Sequence, residues 1–302
     1  MKTQSVKNPT MRAKEWMLLF ILSLLWGGSY FFIKIVLVEL QPFTVVLGRV
    51  SFAAIALICF VYLSGQRMPV SPGIWRAFFM MGALNNLIPF SLIVWGQTQI
   101  DSSLTGILNA TTPLFTVVLA HLLTNDERLT LNRLFGVLFA LCGIFLLVGP
   151  EVMRGFNLQS LGQFAVLGAS FCYSCASIYG RRFKELSPVV TSAGMLTSST
   201  VMILPIALIL DKPWTLRPSA MTWGVLLVLG LFSSAIANLI YFRILAVAGA
   251  TNVSLVTFLI PMSALLLGVF VLGERLDWNT FAGMAFIFTG LAAIDGRLLR
   301  LP

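Results

Sequence analysis

At 302 residues, 58% hydrophobic, only 10% charged and with a net charge of +9, the chain departs from an ordinary soluble domain, which is about 45–50% apolar and about 25% charged. The composition excludes a secreted disulfide scaffold, a disordered chain, a nucleic-acid-binding module and a large soluble catalytic domain. It fits a series of membrane helices, each needing roughly 20 mostly apolar residues.

Met1 to Glu15 is polar and basic and leads into an apolar run longer than a signal-peptide core, with no small-residue cleavage site at its end. This run, about 15–38, is the first predicted helix. Nine more follow at about 42–63, 73–97, 102–123, 131–149, 159–181, 188–210, 219–246, 251–272 and 278–296. No stretch has the period of a strand. The connections are short and carry turn residues: Gly65 with Pro69 and Pro72, Gly149-Pro150, Lys212-Pro213.

With the N-terminus inside, fourteen Lys and Arg fall in cytoplasmic loops and tails. Only Arg154, Lys212, Arg217 and Arg275 fall outside, and Lys34 and Arg49 lie within spans. This bias predicts both termini cytoplasmic and accounts for the positive charge without a nucleic-acid partner. The cysteines, Cys59, Cys142, Cys172 and Cys175, all sit in apolar runs. Cys172-x-x-Cys175 has no second pair to complete a metal site, so all four are expected to be small buried residues.

An internal repeat divides the chain. Glu127-Arg128-Leu129 recurs as Glu274-Arg275-Leu276 at an offset of 147, and Gly136, Gly143 and Gly149 recur as Gly283, Gly290 and Gly296 at the same offset. Pro113 maps onto Pro261, Pro42 onto Pro188, and Ser23, Gly27 and Lys34 onto Ser170, Ser174 and Arg181. The expected units are residues 1–155 and 156–302, five helices each. Because five is odd, the second half is inverted in the membrane, an arrangement typical of secondary transporters with substrate near the bilayer midplane.

Three features carry a resemblance to a known family: Trp26-Gly27-Gly28-Ser29 in the first helix, Arg49 in the second, and the blocks Asn125-Asp126-Glu127-Arg128 and Leu272-Gly273-Glu274-Arg275 before the fifth and tenth. The chain resembles the EamA type of the drug/metabolite transporter superfamily over nearly its whole length, and within it the bacterial aromatic-amino-acid exporters. The resemblance implies a ten-helix bundle with a central cavity lined by helices 1, 3, 4, 6, 8 and 9, with helices 5 and 10 as outer scaffold. Tyr173, standing where the repeat would place a second Trp26, departs from the pattern.

Polar residues point to a path. Thr105, Asn109, Thr112 and Thr116 are spaced to share one face of the fourth helix. In lipid such a stripe faces the bundle interior or bonds a neighbouring helix. Trp26, Tyr30 and Lys34 form a second stripe, matched in the sixth helix by Tyr173, Ser177 and Arg181. Asn85, Asn86 and Trp95 in the third helix, with Asn238 and Tyr241 in the eighth, complete the candidate substrate contacts; an interfacial aromatic belt is the alternative for Tyr30, Trp95 and Tyr241. Arg49 is deep and either ties helices together or meets a substrate carboxylate. Lys34 either snorkels or makes a similar contact. Pro113 and Pro261 are the candidate kinks, each disturbing the carbonyl four residues earlier, at Asn109 and Thr257. Such a carbonyl either is satisfied by neighbours or is free to accept from a substrate ammonium group.

No Asp or Glu lies in the middle of a predicted span, and the lone histidine, His121, is expected at the inner interface. No catalytic constellation, metal set or phosphate loop is present in the sequence. The expectation is therefore a multi-pass bacterial inner-membrane transporter, not an enzyme, needing no cofactor and acting as a monomer. It would export small, largely neutral metabolites, amino acids foremost, by facilitated alternating access. A multidrug or quaternary-cation effluxer is the rival reading, and a membrane enzyme on lipid-linked substrates a weaker one.

Overall fold

The computed structural model describes residues 12–123, 130–153, 157–248, 253 and 255–295. The Asn125–Arg128 block and the expected boundary at 155–156 lie outside the described residues. Among those described, ten helical spans follow in order: α1 Ala13–Val36, α2 Pro42–Leu63, α3 Pro72–Gly96, α4 Ser102–Leu123, α5 Leu131–Met153, α6 Leu158–Tyr179, α7 Pro188–Leu210, α8 Ala220–Leu245, α9 Val256–Phe270 and α10 Trp278–Asp295. Eight are long and apolar enough to cross a membrane, while α9 and α10 are shorter apolar helices. The protein is an all-α, multi-pass membrane protein.

Local sequence explains several starts. Proline occupies the first turn of α2, α3 and α7, where its missing N–H costs nothing. Asn157 accepts from the Ser160 N–H and so caps α6, and Ser219 caps α8 through the Thr222 N–H. Two spans contain wide turns that the sequence did not predict: π turns at Ala83–Leu87 in α3 and Leu231–Ile236 in α8. They fall at equivalent places in the two halves. α4 is interrupted at Ala110–Thr111, just before Pro113, whereas Pro261 sits inside the continuous α9. The two prolines are thus not equivalent in their effect.

The packing is reciprocal. α1 lies on α9 as α6 lies on α4; α3 lies on α6 as α8 lies on α1; α3 meets α7 as α8 meets α2. Three pairs, α2 with α7, α4 with α9 and α5 with α10, join equivalent helices. These relations are those of a pseudo-two-fold axis between inverted halves. The α5–α10 seam is set by glycine. A Cβ on Gly136 would lie 2.5 Å from the Gly290 carbonyl oxygen, and one on Gly143 2.6 Å from that of Gly283. Only the missing side chain allows the backbones this close. The opposite side of α5 exposes Leu134, Leu138, Leu141 and Phe145, as a lipid-facing surface should.

Candidate functional site

Tyr30, Arg49, Asn109, Tyr173 and Ser234 meet at mid-depth, brought together by α1, α2, α4, α6 and α8. The α1 stripe is central. Its spacing of four keeps Trp26, Tyr30 and Lys34 on one face. Asn109 donates from Nδ2 to the Tyr30 hydroxyl at 2.7 Å, and Ser170 Oγ lies 3.3 Å from Asn109 Oδ1. Arg49 is 6% exposed; its Nε donates to Ser234 Oγ at 2.9 Å, and its guanidinium carbon lies 4.0 Å from the centre of the Phe90 ring. The Tyr30 and Tyr173 hydroxyls lie within electrostatic range of that guanidinium. Farther along α1, Trp26 packs on Tyr241 with ring centroids 5.6 Å apart.

Other predicted residues have different partners. Lys34 Nζ donates to the carbonyls of Gln97 and Ile100, both at 2.8 Å, so it closes the outer end of α3. Asn86 is buried and donates to Ser199 Oγ of α7 at 3.2 Å, and Asn85 faces the Met195 sulfur there. Thr105 donates to the Asp101 carbonyl, Thr112 to that of Asn109, and Thr116 to that of Thr112. These threonines bond their own helix, and Ser174 of α6 also reaches the Thr112 carbonyl at 2.8 Å. The Asn109 carbonyl accepts from Thr112 Oγ1 at 2.8 Å and Ser170 Oγ at 3.4 Å, so the oxygen disturbed by Pro113 is satisfied internally. Trp95 lies half-buried at the outer end of α3, Asn238 is half-buried one turn from Tyr241, and Ser177 is exposed on α6. Of the cysteines, Cys59 and Cys142 are exposed and Cys172 and Cys175 half-buried, which corrects the expectation that they are buried.

Phe90 was missed by the sequence reading because nothing distinguishes it from a core phenylalanine. Missed too was a set of three carboxylates on the outer side, each placed on the N-terminus of a helix from the other half. Glu274 accepts from the Ser102 N–H at 2.8 Å and hydroxyl at 2.6 Å, and from the Ser103 N–H at 3.0 Å and hydroxyl at 2.5 Å, at the start of α4. Asp211 accepts from the Thr44 N–H at 2.6 Å and hydroxyl at 3.0 Å in the first turn of α2. Glu39 accepts from the Ser219 N–H at 2.6 Å and the Thr222 hydroxyl at 2.8 Å at the start of α8. Helix N-termini carry unpaired N–H groups and partial positive charge, so each carboxylate is a cap supplied from outside the helix.

Electrostatics agrees with the contacts. Burial works to raise the Glu274 carboxyl, but the hydrogen bonds from Ser102 and Ser103 outweigh it and hold the group below the ordinary carboxylate range. The Ser219 N–H and Thr222 hydroxyl likewise hold Glu39 low. Asp101 is pushed up, first by burial and then by neighbouring Glu274, with Lys34 opposing. Burial follows the same asymmetry. Ser102, Ser103, Thr105, Gly106, Ile107 and Leu108 are buried in the outer part of α4, but only Leu114 and Ala120 in its inner part. α4 is thus closed in over its outer part and more open over its inner part.

The sequence pattern of the EamA-like transporter family matches residues 14–149 and again residues 160–294. The chain belongs to the EamA-like transporter family. This EamA-like protein is 23% identical to an uncharacterized transporter, YoaV, of Bacillus subtilis over 89% of its own length and 92% of that protein's. It is 24% identical to the uncharacterized inner membrane transporter YedA of Escherichia coli K12, over 89% and 87% of the two chains. It is 28% identical to protein PagO of Salmonella typhimurium, over 87% and 86%. A solved crystal structure sharing 20% identity superposes with a TM-score of 0.67 over 96% of this EamA-like chain and 99% of the other, which shows the shared fold.

Proposed function

We propose that the protein is a facilitative exporter of the bacterial inner membrane that moves small amphipathic metabolites, amino acids foremost, by alternating access. The observation that carries the reading is the mid-depth cluster of Tyr30, Arg49, Asn109, Tyr173 and Ser234, drawn from both halves and sealed from the outer side by carboxylates that cross between them. Inverted halves of this kind exchange an outer closure for an inner one around a fixed site. The excess of Lys and Arg on the cytoplasmic side and the likeness to YedA support the inner-membrane placement.

The Trp26–Tyr241 pair favours a second reading, efflux of quaternary cations, which aromatic faces attract. Arg49 disfavours it, because a buried guanidinium repels a cationic cargo.

Reconstituted protein should move neutral amino acids such as L-phenylalanine with no imposed pH gradient. Asn109→Leu should reduce that flux while the protein remains folded, since it removes the bonds to Tyr30 and Ser170. Flux that requires a pH gradient, or acidifies one compartment in fixed ratio to solute, would rule out the facilitative mechanism. Unaltered flux through Asn109→Leu would assign Asn109 to helix packing.

A further inference from the structure

Arg49 presents a positive charge that no carboxylate of a described residue neutralises. It is 6% exposed, and only its Nε has a hydrogen-bond partner among the described residues, the Ser234 hydroxyl. Its electrostatic neighbours are the Tyr30 and Tyr173 hydroxyls, and no carboxylate of a described residue pairs with it. A guanidinium at this depth needs an anionic partner or water. The two terminal nitrogens left over form a planar fork that fits a carboxylate in bidentate fashion.

The surroundings define the rest of the cargo. Phe90 covers one face of the guanidinium at 4.0 Å, and the hydroxyls of Tyr30 and Tyr173 lie within electrostatic range of it. Tyr241, seven residues or about 10 Å of rise beyond Ser234 on α8, continues this aromatic wall with Trp26. Among the described residues, no carboxylate stands in the cluster to receive an ammonium group. The Asn109 carbonyl is already occupied by Thr112 and Ser170, and Glu39, Asp101, Asp211 and Glu274 are held at the outer ends of the helices. Among the described residues a second cation is also missing from the cluster, because Lys34 is committed to the Gln97 and Ile100 carbonyls.

We infer that Arg49 anchors a carboxylate and that the solute binds with one net negative charge, as a small monocarboxylate with an aromatic or apolar body, in preference to a zwitterion. The inference rests on the transport reading above and narrows its substrate class. It also makes export electrogenic, since an inside-negative potential drives a monoanion outward.

Phenylpyruvate and L-phenylalanine share a ring and a carboxylate but differ in net charge, and proteoliposomes under an imposed potassium diffusion potential separate them. Phenylpyruvate should show saturable flux whose equilibrium ratio shifts about 50-fold per 100 mV, whereas L-phenylalanine should move more slowly and without response to potential. Arg49→Lys should keep the preference for the anion at lower affinity, and Arg49→Gln should lose it. Where Arg49→Gln fails to assemble, the wild-type comparison still decides. L-Phenylalanine flux that phenylpyruvate neither follows nor competes with would overturn the inference while leaving the transport reading intact. Should neither solute cross, thermal unfolding of the purified protein separates the two ideas. Stabilisation by phenylpyruvate alone supports the anion site without transport, whereas stabilisation by L-phenylalanine alone, or by neither, overturns the site.

Discussion

Replacing Glu274 with glutamine should loosen the outer closure. Glutamine preserves the shape but has a single acceptor oxygen, and its NH2 faces N–H or O–H donors where a carboxylate oxygen had stood. Two of the four bonds to Ser102 and Ser103 are therefore lost. Bonds to a charged acceptor contribute about 1.5–3 kcal/mol each when well enclosed, and nearer to about 1 kcal/mol for a group partly open to water. With the lost attraction between carboxylate and helix N-terminus, the closed state should weaken by about 2–3 kcal/mol. That corresponds to roughly a 30- to 150-fold rise in the ratio of outward-open to outward-closed molecules. Spin labels on cysteines introduced at exposed Thr98 and Asn279, in a background lacking the four native cysteines, report the separation of the outer ends of α3 and α10. The variant should show a longer distance that the parent lacks. An unchanged distribution, with unchanged solute flux, would refute the assignment of this contact as a closure.

Gly268→Ala should reproduce that behaviour with Glu274 intact, because the added Cβ would lie 2.2 Å from both Glu274 Oε2 and Ser103 Oγ; the same labels test it. Outer acidification should also open the closure: Glu274 is held below the ordinary carboxylate range, so its contribution is complete above that range, near pH 4.3, and is lost as pH falls through the depressed value. Asp101→Asn should act in the opposite sense, since burial and Glu274 both disfavour its charge; thermal unfolding near neutral pH should show a modest gain in stability and the labels a smaller open fraction. Gly143→Ala should lower stability by about 1–3 kcal/mol through overpacking, as its Cβ would press on the Gly283 carbonyl oxygen at 2.6 Å; an unchanged melting temperature would count against the tight seam.

The helices and their repetition were legible because lipid dictates the length and apolarity of each span. What the sequence could not supply was partnership across long separations. Gly136, Gly143, Gly283 and Gly290 were visible as repeated letters, but antiparallel packing pairs Gly136 with Gly290 and Gly143 with Gly283, crossing the order of the offset. Glu39, Asp211 and Glu274 looked like loop carboxylates, since their partners lie 180, 167 and 172 residues away. The depth of Arg49 followed from its distance to Pro42, but its partner Ser234 is 185 residues off. The threonine stripe of α4 was ambiguous in the sequence for a local reason. Identical spacing serves a water path or a helix contact, and the break at Ala110–Thr111 turns the inner residues toward Ser174 while Asn109 turns toward Tyr30. The π turns left no trace in their letters, Ala83-Leu84-Asn85-Asn86-Leu87 and Leu231-Phe232-Ser233-Ser234-Ala235-Ile236.

The pairing of α5 with α10, and of α2 with α7, has a consequence for how the halves trade places. In a molecule whose two states are mirror exchanges of its halves, a contact between non-equivalent helices in one state becomes a different contact in the other. A contact whose residue pairs are each other's counterparts, as Gly136–Gly290 and Gly143–Gly283 are, maps onto itself. The glycine seam of α5 and α10 can therefore stay rigid through a whole cycle, as an axle does, while α1, α3, α4, α6, α8 and α9 rearrange about it. Damage to the axle weakens both states alike, so substitutions at Gly136 or Gly290 should alter how long the protein survives without altering which way it faces.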